Sequence, residues 1–241
     1  MAEKVALVTG GSVGIGKAIC AGFLAAGYQV ISLANRPAEI VDPAFHAISV
    51  DLADPKATAE AAADATRRFA VTTLVHNAGA IRPALLAEVK PRDLAALFNL
   101  HVAAAVSLAQ AALPSMRQAG FGRIVLISSR AVLGLATRTS YSATKAGMIG
   151  MARTWALELG PEGITVNVVA PGPIETEQFY ETLRQDGPNV AQITQSIPVR
   201  RLGQPADVAR VVLFLAAPES GFITGQVLYV CGGTSVGSLV L

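Results

Sequence analysis

The feature that most constrains the fold is a regular alternation of short apolar runs and helical patterns along the chain. Seven runs have the length and composition of buried strands: Val5–Thr9, Gln29–Leu33, His46–Val50, Thr73–His76, Arg123–Ser128, Thr165–Ala170 and Gln226–Val230. Five helical patterns lie between them: Gly14–Ala26, Pro55–Phe69, Pro91–Gln118, Tyr141–Leu159 and Pro205–Ala217. Strands that alternate with helices pair in parallel through right-handed crossovers, and the helices cover both faces. The sequence therefore predicts one α/β domain over residues 1–241, a doubly wound sheet of seven parallel strands.

Composition and charge agree with a sheet buried on both faces and argue against other classes of protein. Hydrophobic residues make up 52% of the chain, charged residues make up 15%, and the formal net charge is +2. The sequence has no run of Lys and Arg with interleaved aromatics, which argues against nucleic-acid binding. Cys20 and Cys231 are too few and too far apart for a disulfide framework or a metal site.

Two segments bear on localisation. Met1–Lys4 leads directly into the first strand without an apolar signal segment, so we expect a cytoplasmic protein. Leu94–Met116 has no formally charged side chain and is long enough to span a bilayer. Polar residues and a proline interrupt it: Asn99, His101, Ser107, Gln110, Pro114 and Ser115. We therefore expect a helix buried against the sheet and a partner subunit, without membrane contact.

A glycine-rich turn follows the first predicted strand and opens the first predicted helix. Its glycines have the spacing G-x3-G-x-G, and the turn is typical of a pyrophosphate site because glycine lets the backbone approach the phosphates at the helix N-terminus. The predicted contacts are Gly10, Ser12, Gly14, Ile15 and Gly16. Any tight strand–helix turn can use glycines, so it is the position of this turn in the fold that favours a dinucleotide.

The residues after the second strand decide between NAD and NADP. A carboxylate there accepts a hydrogen bond from the ribose 2′-hydroxyl of NAD, whereas an arginine receives the 2′-phosphate of NADP. This strand exits as Leu-Ala-Asn-Arg, with no acid in reach and with Arg36 at the end. Arg36 therefore favours NADP as cofactor, with NAD as the second possibility. The alternative is that Arg36 is an ordinary solvated arginine.

Asp51 and Leu52 follow the third strand, at the same edge of the predicted sheet. The Asp51 carboxylate could accept a hydrogen bond from the adenine amino group of the cofactor. Its alternative role is to cap the helix that begins near Pro55, because aspartate is a preferred N-cap residue.

Tyr141 and Lys145 are the strongest candidates for catalysis. They are four residues apart, one helical turn, so the phenol and the ammonium project from the same face. A nearby ammonium favours the phenolate and lowers a phenol pKa that starts near ~10. Beside a dinucleotide, such a phenol suits proton exchange with a substrate oxygen while hydride moves at the adjacent carbon.

The ordered set of motifs resembles the short-chain dehydrogenase/reductase family. The resemblance covers nearly everything from Val5 to Gly233 and rests on four groups: Gly10/Gly14/Gly16, Asn77-Ala78-Gly79, Tyr141/Lys145 and Pro171-Gly172. It implies a Rossmann-like fold and an NAD(P)(H)-dependent oxidoreductase that interconverts a secondary alcohol and a ketone of a small-molecule substrate.

The resemblance also implies a role for each candidate catalytic residue. Tyr141 matches the general acid/base, and Lys145 matches the residue that binds the nicotinamide ribose and lowers the tyrosine pKa. Ser129 matches the serine that polarises the substrate oxygen, with Ser128 as the alternative because it lies one residue further from Tyr141. Asn99 matches the asparagine that holds a helix open and anchors a proton-relay water.

Two further segments are implied to contact the cofactor. Asn77, Ala78 and Gly79 match the loop beside the adenosine half, and Pro171, Gly172, Ile174 and Thr176 match the segment at the nicotinamide carboxamide. The chain departs from the family at two positions. His76 stands where asparagine is usual, a change that we expect to be tolerated rather than catalytic. Cys231 stands where an aspartate commonly precedes the glycines.

Other functions remain open on the sequence alone. One is a 3-oxoacyl-thioester (acyl-carrier-protein) reductase. Another is a dinucleotide-sensing scaffold protein, whose mark would be a lost catalytic residue, and none is lost here. Arg130 and Arg138 could attract an anionic group of the substrate or could be ordinary surface arginines.

The last two predictions concern a lid and the oligomer. The stretch Pro171–Gln204 is longer than an ordinary loop, which indicates a substrate lid around residues 173–204. The predicted helices Pro91–Gln118 and Tyr141–Leu159 are apolar over more of their circumference than one sheet face can cover. This pattern predicts burial against another copy of the chain, in a homotetramer or, as second choice, a dimer.

Overall fold

The computed structural model describes residues 4–183 and 189–236, and these form one parallel sheet. Its strands are β1 (Val5–Thr9), β2 (Gln29–Ala34), β3 (Phe45–Ser49), β4 (Thr73–His76), β5 (Gly122–Ile127), β6 (Ile164–Pro171) and β7 (Val227–Val230). The strand order is β3-β2-β1-β4-β5-β6-β7, and every neighbouring pair is parallel. The predicted seven-stranded α/β fold is confirmed, with strand ends shifted by a residue or so; the bounds of the domain stay a prediction.

Eight α-helices occur within the described residues. They are α1 (Gly14–Ala25), α2 (Pro55–Arg68), α3 (Pro91–Phe98), α4 (Ala104–Ala119), α5 (Thr139–Leu159), α6 (Glu177–Leu183), α7 (Val190–Ser196) and α8 (Pro205–Ala216). Helices α1 and α8 cover one face of the sheet, and α2, α4 and α5 cover the other. The chain reverses its strand order between β1 and β4, so a ligand crevice is expected beyond their carboxyl ends.

The helix predicted over Pro91–Gln118 is interrupted. It is α-helical to Phe98, forms a π-helical turn over Asn99–Ala103, and resumes as α4. A π turn adds one residue without changing the apolar composition, so hydrophobic periodicity does not reveal it. Together, Pro91–Ala119 are long and apolar enough to span a membrane. A core helix passes the same test, and α4 packs against α2 and β5.

The stretch predicted to be irregular contains two short helices, α6 and α7, which sequence reasoning missed. Its two ends are joined: Glu175 N donates to Gly203 O at 2.8 Å, and Gly203 N donates to Pro173 O at 3.0 Å. Residues 184–188 of the predicted lid lie outside the described residues. The pairing at Gly203 fixes the strap 173–176, which leads from β6 toward the glycine-rich turn.

Candidate active site

The glycine-rich turn is packed as a phosphate-binding turn must be. A Cβ at Gly16 would overlap the carbonyl oxygen of Gly10, so only glycine lets α1 begin this close to the turn. Gly14 has a φ of 54°, which glycine adopts without strain. Within the described residues no side chain caps the start of α1, so its first N–H groups are available to an anion. These features fit a pyrophosphate.

Thr9 joins this turn to the loop after β4. Its Oγ1 accepts hydrogen bonds from the backbone N–H groups of Asn77 and Ala78, both at 2.9 Å. The Asn77 amide also donates to the carbonyls of Thr9 (3.1 Å) and Gly10 (3.2 Å). The predicted cofactor residues Asn77, Ala78 and Gly10 are therefore brought together, while their contact with a cofactor stays a prediction.

His76 is fully buried and neutral. Thr9 Oγ1, already accepting two N–H groups, directs its own proton to His76 Nδ1 at 3.1 Å, so His76 Nε2 carries the ring proton. Nε2 donates to the carbonyl of Leu100 at 3.1 Å, in the π turn. Burial, and to a smaller extent the charge of Lys145, lower the His76 pKa to about 3. His76 thus bridges the glycine-rich turn and the π turn.

His101 is a buried histidine that sequence reasoning missed. Its Nε2 accepts from the backbone N–H of Ala80 at 3.2 Å, and its Nδ1 lies 2.8 Å from Thr144 Oγ1. Since the Thr144 hydroxyl donates to the carbonyl of Ser140 at 3.1 Å, Nδ1 must donate, and the ring is neutral. Burial holds the His101 pKa far below its usual value. Its ring meets that of Tyr141 edge-on, 5.7 Å between centroids. The one sequence feature that could have pointed to His101 is its position in a long helical segment without charged side chains.

The two candidate serines have different partners. The Ser129 side chain lies close enough to the Tyr141 phenol to lower its pKa, and Ser129 Oγ accepts from Ala131 N at 3.1 Å. Ser128 is buried, and its hydroxyl donates to the backbone carbonyl of Lys145 at 2.8 Å. The geometry favours Ser129 as the serine facing the phenol, and Ser128 holds α5 against β5. The catalytic role of Ser129 stays a prediction.

Tyr141 and Lys145 lie on one face of α5, as their spacing predicts, but their pKa values differ from expectation. Lys145 Nζ lies 5.8 Å from the Tyr141 ring centroid and donates to Ile127 O at 2.7 Å. Burial lowers the Lys145 pKa to about 7. Burial raises the pKa of Tyr141, against smaller opposite effects of Ser129 and Arg138. Desolvation therefore outweighs the expected action of the ammonium on the phenol.

Asn99 is the first residue of the π turn and is half-buried. The wider turn displaces backbone carbonyls from the regular helical ladder, and that of Leu100 turns to His76. The prediction that Asn99 lies where a helix is held open agrees with this position. Its part in a proton relay stays a prediction.

Arg36, Asp51 and Leu52 lie at the edge formed by β2 and β3. Arg36 is exposed, and its Nη1 donates to Glu177 Oε2 of α6 at 3.0 Å. Asp51 accepts from Ala53 N at 2.9 Å, and Leu52 is buried. The alternative role of Asp51 as the helix cap is wrong, because Asp54 caps α2: it accepts from the backbone N–H groups two and three residues on.

The strap after β6 crosses the glycine-rich turn. Pro171 ends β6, and a Cβ on Gly172 would lie 2.7 Å from Cys231 Cα, so glycine is required there. Ile174 is buried. The methyl group of Thr176 would lie 3.3 Å from a Cβ on Gly14. The predicted nicotinamide and pyrophosphate segments are therefore adjacent.

The two arginines near Tyr141 are not equivalent. Arg130 Nε donates to the carbonyl of Thr234 at 3.1 Å and so ties the serine loop to the C-terminal segment. Arg138 precedes Tyr141 by three residues, and its charge lowers the phenol pKa. Burial lowers the pKa of Arg138 in turn. Arg138 is the arginine whose charge reaches the phenol.

These features define the class of protein: an α/β dinucleotide-binding protein with a glycine-rich turn, a parallel sheet and a Ser-Tyr-Lys group. Comparison with known proteins leads to the same class. A family model described as enoyl-(acyl carrier protein) reductase matches residues 10–235. The BbsC subunit of the hydroxy(phenyl)methylsuccinyl-CoA dehydrogenase of Thauera aromatica is 36% identical over 243 residues, covering 96% of this chain and 94% of its own. The chain belongs to the short-chain dehydrogenase/reductase family, which confirms the resemblance.

Two other relatives bear on cofactor and chemistry. A 3-oxoacyl-(acyl-carrier-protein) reductase of Thermotoga maritima is 37% identical over 244 residues, covering 95% of this chain and 97% of its own. A blue fluorescent protein from a metagenomic library, solved in complex with NADPH, has a TM-score of 0.84 and 35% identity. That match covers 95% of this chain and 97% of the other.

Proposed function

We propose that this protein is an NADP(H)-dependent oxidoreductase that interconverts a secondary alcohol and a ketone of a small molecule. The observation that carries the proposal is the meeting of Ser129, Tyr141 and Lys145 beside the glycine-rich turn, at the carboxyl ends of the strands. A nicotinamide cofactor held there would provide the hydride for the carbonyl carbon. Relatives that are oxidoreductases of the same family support this chemistry.

The chain's own residues supply and direct the proton. The Ser129 hydroxyl donates to the substrate oxygen and polarises the carbonyl. Tyr141 gives its phenolic proton to that oxygen as the hydride arrives, and the alcohol is formed. Burial raises the Tyr141 pKa, so the phenol is protonated at neutral pH and suited to ketone reduction. Lys145 holds the nicotinamide ribose, and a water held at Asn99 returns a proton to the phenolate.

Arg36 carries the preference for NADP(H) over NAD(H). It stands at the end of β2 with no carboxylate on the strand exit to accept from a ribose 2′-hydroxyl. A guanidinium binds a 2′-phosphate through charge-assisted hydrogen bonds. The NADPH complex of the metagenomic relative supports the same choice. Asp51 binds the adenine amino group.

A 3-oxoacyl-thioester reductase is the second candidate. The relatives named for 3-oxoacyl-(acyl-carrier-protein) and for a substituted succinyl-CoA favour it. Arg138 favours it too, because its charge reaches the Tyr141 phenol and would attract an anionic substituent near the reacting carbonyl.

A homotetramer in the cytoplasm completes the proposal, with a dimer as second choice. Large apolar side chains are exposed on α3 and α5: Phe98 is 51% exposed and Leu157 is 82% exposed. Burial against another copy of the chain would remove this surface from water. Sedimentation that shows a single chain of 24.8 kDa at micromolar concentration would overturn the oligomer.

The function is tested by following oxidation of NADPH and NADH with a panel of ketones and 3-oxoacyl thioesters. We expect turnover with NADPH and at least one ketone. Turnover confined to the thioesters would select the second candidate. Tight NADPH binding with no turnover of any substrate would point instead to a dinucleotide-sensing scaffold.

A further inference from the structure

Arg36, the arginine proposed to bind the 2′-phosphate, already forms an ion pair with the carboxylate of Glu177. Arg36 Nη1 donates to Glu177 Oε2 at 3.0 Å, and the two side chains are 56% and 62% exposed. Arg36 follows β2, whereas Glu177 is the first residue of α6, 141 positions along the chain. A carboxylate and a phosphate ester can bind to the same guanidinium, because the oxygens of both are anionic acceptors for its N–H groups.

The approach of Glu177 is fixed by the strap that precedes it. Glu175 accepts from Tyr180 OH at 2.5 Å and from Gln204 Nε2 at 2.6 Å, and its backbone N–H bonds Gly203 O. Thr176 rests against the glycine-rich turn at Gly14. Because the strap is anchored at Glu175 and Thr176, directly before Glu177, the carboxylate is presented to Arg36 by packed backbone rather than by a loose loop.

We propose that Glu177 is a specificity-determining residue that competes with the 2′-phosphate of NADP(H) for Arg36. The inference rests on the proposed NADP(H)-dependent function. NADP(H) must displace Glu177 to engage Arg36, whereas NAD(H) has no 2′-phosphate and leaves the pair in place. Glu177 therefore weakens the binding of NADP(H) but not of NAD(H). It reduces the difference in affinity between the two cofactors that Arg36 creates. Because such coupling is reciprocal, binding of the 2′-phosphate to Arg36 would break the ion pair that connects the first turn of α6 with the residues after β2.

The size of the effect follows from the exposure of the pair. Exposed ion pairs are worth little because solvent and salt screen them, and the whole of that interaction is lost when the phosphate arrives. Glu177→Gln should tighten NADPH binding about 1.5- to fivefold, with NADH binding unchanged. Equilibrium dissociation constants of both cofactors, from nicotinamide fluorescence or calorimetry at low salt, measure the difference.

Glu181→Gln is the matched control. Glu181 lies one turn later in α6 and is exposed, so the variant removes the same charge from the same helix without touching the pair at Arg36. It should leave both dissociation constants as they are. A gain for NADPH and NADH alike in Glu177→Gln would mean general repulsion of the cofactor's phosphates, and it would overturn the proposal.

The Arg36→Ala background separates this proposal from the proposed function. If Arg36→Ala weakens NADPH selectively, and Glu177→Gln has no effect in that background, the competition is supported. If Arg36→Ala weakens NADPH selectively but Glu177→Gln changes nothing in the wild-type background, only the competition fails. If Arg36→Ala affects NADPH and NADH equally, the assignment of Arg36 itself fails.

Discussion

Two regions of this site handle charge under opposite conditions. In the buried cluster, which comprises Tyr141, Lys145, His76 and His101, desolvation shifts the pKa values and every histidine ring nitrogen has a hydrogen-bond partner. In the exposed pair, Arg36 and Glu177, both side chains are more than half exposed. From this difference we expect substitutions in the buried cluster to change activity strongly. Substitutions in the exposed pair should change cofactor affinity only slightly and in a salt-dependent way.

The largest expected effect comes from removing the phenol. Tyr141→Phe keeps the ring packed against His101 but cannot transfer a proton, so turnover should fall about 10²- to 10⁴-fold, the usual contribution of a general acid. NADPH affinity should be retained. Steady-state kinetics and cofactor titration give both values. Tyr28→Phe, which removes a phenol at the far end of β2, serves as the control, and near-normal turnover in Tyr141→Phe would remove the central role of this residue.

A substitution in the exposed pair should have a smaller effect. Arg36→Ala removes a charge-assisted contact to the 2′-phosphate, which contributes roughly 1.5–3 kcal/mol, about tenfold or more in affinity. Its exposure places the expected loss at the low end of that range. Fluorescence titration with NADPH and NADH should show the loss for NADPH only. A wild-type preference for NADH would contradict the assignment.

Acid stability tests the burial of the histidines. The pKa of His76 is lowered from 6.5 to about 3, so between these values the unfolded chain binds a proton that the folded chain does not. The free energy of unfolding should therefore fall as pH drops from about 6.5 toward about 3, by at most about 1.4 kcal/mol per pH unit for one proton. His76→Asn should flatten this slope in urea titrations at several pH values. An unchanged slope would show that the His76 side chain meets water.

The smallest expected effect is at Arg138, whose charge acts on the Tyr141 phenol. Its charge lowers the pKa of the Tyr141 phenol, so Arg138→Gln should move the Tyr141 limb of the pH profile of kcat/KM to higher pH. Arg130→Gln is the matched control because Arg130 is tied to Thr234 O. Equal shifts in the two variants would mean that general charge, and not the placement of Arg138, acts on the phenol.

The sheet and the position of the site followed from sequence because they depend on local patterns. Strand–helix alternation predicted a doubly wound parallel sheet, and Ser129, Tyr141 and the glycine-rich turn were expected near the carboxyl ends of its strands. The tautomers of His76 and His101 could not be predicted, since each depends on partners far away in sequence, such as Thr9 and Thr144.

The pKa order of Tyr141 and Lys145 was also beyond prediction. Spacing gives the face of a helix that two residues share, but burial depends on what packs over that face. Here β5 offers the buried Lys145 a backbone carbonyl, and desolvation acts on both side chains, lowering the pKa of Lys145 and raising that of Tyr141. The pairing of Arg36 with Glu177 could not be predicted either, because the two residues are far apart in sequence and no local pattern links the end of β2 with α6.

The π turn makes the helix frame around Asn99 sensitive to single-residue deletions. Each residue of an α-helix rotates the chain by about 100°, so the extra residue within Asn99–Ala103 offsets α3 from the face on which α4 packs. Deleting one residue there would give an unbroken helix of almost unchanged composition. The two halves of that helix would no longer both keep their present packing faces, and the carbonyl of Leu100 would return to the helix and leave His76 Nε2 without its acceptor.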